Sequence, residues 1–163
     1  MAQKDYEEFI ELLNANNIKF LIIGAHAVAF HARPRATKDL DILHETGPES
    51  AAAILKVIQE FFGGHDIGIT AGDLANPEMI VQLGVAPVRI DLMGNVAGIA
   101  DFEAAWARRV KGKYGNVDAW YISLDDLIQN KQKANRDQDK ADVKYLKRAQ
   151  GAKTHVRREK TKK

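Results

Sequence analysis

The chain contains no cysteine. That absence excludes a disulfide framework, a cysteine-ligated zinc or iron–sulfur centre and thiol catalysis, and it fits a reducing compartment. Long hydrophobic runs are missing too. The longest, Phe20 to Ala25, meets His26 and then polar residues, well short of the roughly 20 residues a membrane span requires. The opening stretch, Met1 to Glu8, lacks the apolar centre of a secretory signal. No charge of one sign dominates: 24 Lys and Arg stand against 22 Asp and Glu, for a net of +2. Such a chain is neither a disordered polyelectrolyte nor an overall nucleic-acid coat. There is no internal repeat and no linker. Together these absences predict a soluble, cytoplasmic protein with no membrane partner.

What is present points to one domain. With 163 residues and 45% hydrophobic content, the chain can bury a real core but cannot hold two domains of typical size. The expected domain is 1–150. Residues 151–163 read as a basic tail, with six Lys or Arg against Glu159 alone, a local balance of +5 that leaves 1–150 mildly acidic at −3. Because this tail begins with Gly151 and has no apolar periodicity, it reads as a solvated, disordered terminus. The other reading is an arm for RNA or DNA phosphates, although no Phe, Tyr or Trp accompanies the charges.

Hydrophobic spacing predicts an alternation of helices and strands. Phe9, Ile10, Leu12 and Leu13 give a first amphipathic helix that ends near Asn14 to Asn17. Ile18 to Ile23 reads as a buried strand, and Gly24-Ala25 opens a short helix of small residues that Arg33-Pro34-Arg35 breaks. Lys38 to Leu43 alternates as a strand. Pro48 to Phe62 is helical with Pro in its first turn, stopped by Gly63-Gly64. Met79 to Leu83 and Val88 to Met93 are expected as strands joined by a turn at Gly84. Asp101 to Arg109 is an expected helix and Val117 to Ile122 an expected strand. Ser123 and Asp126 resemble a capping box with Asp in place of Glu, starting a helix to about Ala134, and Gln138 to Ala149 supplies the last one. The fold class that follows is α/β (α+β): a mixed central sheet flanked by helices.

The chemistry concentrates in three places. Asp39 and Asp41 are two apart on a strand, so both carboxylates leave one face while Leu40 and Ile42 leave the other. Like charges so placed repel, and keeping both ionised calls for a cation; oxygen ligands alone favour hard Mg²⁺ over zinc. An exposed edge strand is the plain alternative. On the second strand, Arg89 and Asp91 lie opposite the apolar face of Val88, Ile90 and Leu92. If the strands are neighbours, Asp91 is a third carboxylate, able to complete a site for two metals ~3.5–4 Å apart; otherwise it is a rim acid or a salt-bridge partner of Arg89. Third, a strand that turns at Gly24-Ala25 directly into a helix brings backbone N–H groups close to an anion, with the helix N-terminus favouring negative charge. His26 and His31 are five apart, not the three or four that place two ligands on one helical face. Trp106, Trp120 and Tyr121 read as core or cover, with no basic stripe around them.

The order strand, Gly24-Ala25, short helix, Arg35-x-Thr37, Asp39-x-Asp41 and Asp91 on a later strand resembles the nucleotidyltransferase superfamily of DNA polymerase beta-like folds. In particular it is similar to the small bacterial branch of AbiEii-type toxins and minimal nucleotidyltransferases. The likeness spans roughly residues 18–148 and continues at Leu124 to Lys131 and Arg136 to Asp142. It implies that Asp39, Asp41 and Asp91 hold Mg²⁺, with two ions when a nucleoside triphosphate is bound, and that Asp91 helps deprotonate an acceptor hydroxyl. Gly24, Ala25, Arg35, Lys38, Lys131 and Arg136 are then the triphosphate contacts. The implied reaction is attack of the hydroxyl on the α-phosphorus with release of pyrophosphate. As acceptor the resemblance leaves tRNA, a protein or a small hydroxylated molecule, and it adds an antitoxin as partner; a homodimer is a further option. Ala25 departs from the Gly or Ser usual there, so a serine hydroxyl contact is missing. The competing reading is an inactive module that binds a nucleotide or a partner protein.

Overall fold

A computed structural model describes residues 2–34, 39–85 and 87–162, without the side chains of Ala2 and of residues 154–162. Arg35, Thr37 and Lys38 therefore lie outside the described residues.

The elements run α1 (Ala2–Ala15), β1 (Phe20–Ile23), α2 (Gly24–His31), β2 (Asp39–His44), α3 (Pro48–Phe61), α4 (Ala71–Ala75), β3 (Ile80–Val85), β4 (Val88–Met93), α5 (Phe102–Ala107), β5 (Val110–Tyr114), β6 (Val117–Tyr121), α6 (Leu124–Ala134) and α7 (Asp137–Lys162). Six strands form one mixed sheet in the order β3-β4-β2-β1-β6-β5. β1 pairs antiparallel with β2 and parallel with β6, while β2 and β4 are parallel. The expected class, a mixed sheet flanked by helices, is what the chain adopts.

The core forms where the periodicities meet. Leu40, Ile42, Ile90 and Leu92, the apolar sides of β2 and β4, are fully buried, and so are Phe9, Ile10 and Leu13 of α1. Each such side chain contributes about 1.5–3 kcal/mol relative to an exposed one. Tyr6 of α1 also fixes β4, its hydroxyl donating to the Arg89 carbonyl at 3.2 Å. Because β2 and β4 are covered on this side, Asp39, Asp41, Arg89 and Asp91 are left on the opposite face.

Several boundaries depart from the sequence expectation. β3 begins at Ile80 and runs to Val85, and α5 is shorter than the expected Asp101 to Arg109. β5 and α4 were not expected. β5 reads Val-Lys-Gly-Lys-Tyr, an edge strand whose outward lysines and central glycine give little strand propensity. α4 is too short for periodicity, yet Thr70 and Asp73 form a complete capping box. At Ser123 only half of the box forms. Its hydroxyl accepts from the Asp126 N–H at 3.1 Å, whereas the Asp126 carboxylate turns to Arg108, with bonds of 2.9 and 3.0 Å. The backbone of α7 continues beyond Gly151 to Lys162. Among the described residues no helix is long and apolar enough to cross a membrane.

Candidate active site

Parallel pairing of β2 with β4 sets Asp39 directly against Arg89 and Asp41 directly against Asp91. Antiparallel pairing sets Ile23, the last residue of β1, against Asp41, so the β1–α2 turn meets the same carboxylates. Gly24 holds φ +67, a left-handed conformation that glycine adopts without strain. A Cβ on Gly24 would collide with the Asp41 carboxylate. Glycine thus serves two needs here: the turn, and close approach of the backbone to an acid. Ile23 at the N-cap offers no side-chain bond, which leaves the first-turn N–H groups of α2 uncapped beside the site.

A cleft of about 680 Å³ opens over this face. Gly24, Ala25, Asp39, Asp41 and Asp91 line one side, and Lys131 and Arg136 line the other. Every proposed contact among the described residues therefore opens into one cavity. Asn95, Asn130 and Gln138 line it as well, though nothing in their spacing singles them out in the sequence. Asn130 donates to the Ala97 carbonyl at 2.8 Å and ties the loop after β4 to α6.

The carboxylates are unevenly satisfied. Arg89 reaches Asp91 through two bonds of 3.0 Å, from Nε to Oδ1 and from Nη2 to Oδ2, and reaches Asp39 Oδ2 from Nη2 at 3.0 Å. The salt-bridge reading of Asp91 is thus present, in a form that embraces two acids at once. Asp41 makes no ion pair among the described residues. Burial, then the neighbouring Asp91 and Asp39 charges, push its carboxyl up to about 6.

The facing wall is balanced. Lys131, expected as a triphosphate contact, is buried, and its ammonium lies 3.1 Å from Asp139 Oδ1 and 3.4 Å from Asp142 Oδ2. Asn135 closes α6 in the left-handed conformation, turning the chain so that Arg136 Nε meets Asp139 Oδ2 at 2.7 Å. Burial raises the Asp139 carboxyl, but bonds from Arg136 and Lys131 outweigh it and hold it below the usual range. Asp139 and Asp142 act here through Lys131 and Arg136, which they hold in place.

The other singled-out residues stand apart. His26 packs edge-on against Tyr6 and Tyr114, and burial lowers its pKa. It does not line the cleft. His31 Nε2 lies 2.7 Å from the Ile122 carbonyl. Trp106 and Trp120 pack against the core as expected, and two basic residues the sequence pattern did not bring to them lie over their rings. The α5–β5 connection brings the Arg109 guanidinium over both rings, at 4.0 and 4.5 Å, and β5 brings Lys111 within 6.0 Å of Trp120.

Could the acids hold a metal? Among the described residues no three His, Asp or Glu side chains already stand as a metal-binding group. Arg89 lies between two of the three candidates. In donor type they suit a hard divalent cation: carboxylate oxygens only, with the Asp41 charge unmatched by any ion pair. The fit requires Arg89 to yield Asp39 and Asp91.

A strand, a glycine turn into a helix, three acids on two neighbouring strands and basic residues lining the same cleft are the kinds of group that phosphoryl-transfer sites use. The chain belongs to the family described as nucleotidyl transferase of unknown function (DUF2204), whose model matches residues 2–163. That membership supports a transferase of the nucleotidyltransferase superfamily. No curated protein matches the chain.

Proposed function

We propose that the chain moves a nucleoside monophosphate from a nucleoside triphosphate to a hydroxyl acceptor, with Mg²⁺ held by Asp39, Asp41 and Asp91. One observation carries this reading: three carboxylates share one sheet face, one of them unmatched by any ion pair among the described residues, directly across a cleft from Lys131 and Arg136. When bound, Mg²⁺ supplies neutralisation of the triphosphate charge and a lowered pKa for the attacking hydroxyl.

The chain's own groups account for the rest. Uncapped N–H groups at Gly24-Ala25 bind phosphate oxygens without a serine hydroxyl. Lys131 and Arg136 approach the departing pyrophosphate as fixed positive charges that need no reorganisation. Asp91 accepts the hydroxyl proton at its carboxylate once Arg89 has released it. Arg35 and Lys38, just before the acidic strand, extend the same phosphate-binding role.

The finer reading is a toxin-like enzyme, with tRNA or a protein as acceptor and an antitoxin as partner. It rests on the resemblance and on the basic residues from Lys153 onward. A cytoplasmic location fits the lack of cysteine. A second reading has its own support: Ala25 lacks a hydroxyl and Arg89 already pairs with two acids, as suits a module that binds nucleotide without turnover. Incubation with α-phosphate-labelled nucleoside triphosphates and Mg²⁺ separates the two. Transfer of label with pyrophosphate release, lowered by at least about a hundredfold in Asp41→Asn, is the expected result. Nucleotide binding with no turnover in the wild-type chain would favour the binding module.

A further inference from the structure

The two edges of the sheet are built differently. β5, at one edge, points Lys111 and Lys113 outward, both largely exposed and paired with Asp118. Charged residues of this kind keep an open edge from pairing with another chain. β3, at the other edge, has no such protection. From Met79 to Val88 the sequence carries no charged residue at all. Along this stretch Met79 is 39% exposed, Ile80 57% and Val85 80%. β3 pairs with β4 through all six of its residues, Ile80 to Val85, and among the described residues no other strand lies beyond it.

We infer that the open edge of β3 pairs antiparallel with β3 of a second copy of this chain. The occupant follows from charge. A nucleic acid would require cations along the strand, and an acidic or basic peptide a complementary side chain; none exists there. A second neutral strand is matched by this one without repulsion. A two-fold axis at Gln82, perpendicular to the sheet, sets the glutamine against its own copy and Val81 against the partner's Leu83. Ile80 then meets Gly84, which has no side chain to obstruct it.

This arrangement bears on the site. Pairing of Gln82 with Asp91 and of Ile80 with Met93 places Gln82 and Ile80 on the carboxylate face, and Ile80 lines the cleft. A perpendicular two-fold keeps both carboxylate faces on the same side of a continuous twelve-stranded sheet. The two β4 strands then lie three strand spacings apart, about 14 Å. Each cleft gains the neighbouring copy of β3 along its rim, so one long acceptor can run across both.

The test is the mass of the full chain by sedimentation between about 1 and about 100 μM, since pairing is concentration-dependent. The expected mass at high concentration is twice 18.1 kDa. Gln82→Lys, which opposes two ammonium groups at the axis, returns it to one chain, while Lys111→Arg at the other edge, which keeps the charge there, leaves it unchanged. Hydrogen exchange on the wild-type chain reads the same claim without a variant: the alternate β3 amides that point away from β4 gain protection as concentration rises, and Lys111 to Lys113 do not. A monomer at every concentration would overturn the proposal, as would a dimer that Gln82→Lys leaves intact and that brings no protection to the outward amides of β3.

Discussion

The cleft has two charged walls, and they are composed differently. On the sheet side Asp39 and Asp91 share the Arg89 guanidinium, and Asp41 beside them has no ion pair among the described residues. On the helical side two acids, Asp139 and Asp142, stand against Lys131 and Arg136. The helical wall is therefore balanced, each of its buried acids paired with a cation. The sheet wall is not, and the deficit falls on Asp41, whose carboxyl is pushed up to about 6. A protein core tolerates the first arrangement for stability alone. It keeps the second at a cost, as the proposed metal site would require.

If that contrast holds, breaking the helical wall should damage the fold most. Lys131→Met leaves two buried carboxylates without their ammonium, and we expect a loss of about 3–5 kcal/mol in denaturant unfolding. A loss under about 1 kcal/mol would mean that the wall is hydrated and its pairs are surface pairs.

The sheet wall should respond oppositely. Because the folded-state pKa of Asp41 lies above its unfolded value, ionisation favours the unfolded chain. Its contribution to stability is whole below pH 3.8 and declines as pH rises to about 6. Asp41→Asn removes that decline. The variant should gain about 1–3 kcal/mol relative to the wild type between pH 4 and pH 7, read from parallel melts across that range.

The smallest effect sharpens the comparison at Arg89. Arg89→Gln removes the guanidinium that pairs with Asp39 and Asp91, so divalent cations should bind the free protein roughly tenfold more tightly, about 1.4 kcal/mol. Calorimetric titration with Mn²⁺ measures it. An unchanged or weaker affinity would show that Arg89 organises the acids rather than occupying their place.

Much of this was legible in the sequence, and what was not has physical reasons. The period-two pattern put Asp39 and Asp41 on one face of their strand and Asp91 opposite the apolar side of its own, because alternation dictates side within a strand. That β2 and β4 are neighbours came from topology, which period does not encode. Gly24 announced a turn, but only the structure puts Asp41 where a Cβ would sit. Lys131 looked like any helix lysine; its burial depends on Asp139 and Asp142 arriving from the next helix. Arg89 was visible as a partner of Asp91, while its reach to Asp39 follows from strand register. β5 was missed because an edge strand with lysines and a glycine reads as loop.

The most direct test of the central claim is a thermal-shift panel of the four nucleoside triphosphates, each with and without Mg²⁺, on the wild-type chain and Asp41→Asn. A ligand at 100 times its Kd stabilises a fold by ~2.7 kcal/mol, a shift of several degrees in a domain of this size. The account predicts a shift that needs both Mg²⁺ and Asp41, with at least one of the four nucleotides. A shift that survives Asp41→Asn, or none with any nucleotide, would contradict it.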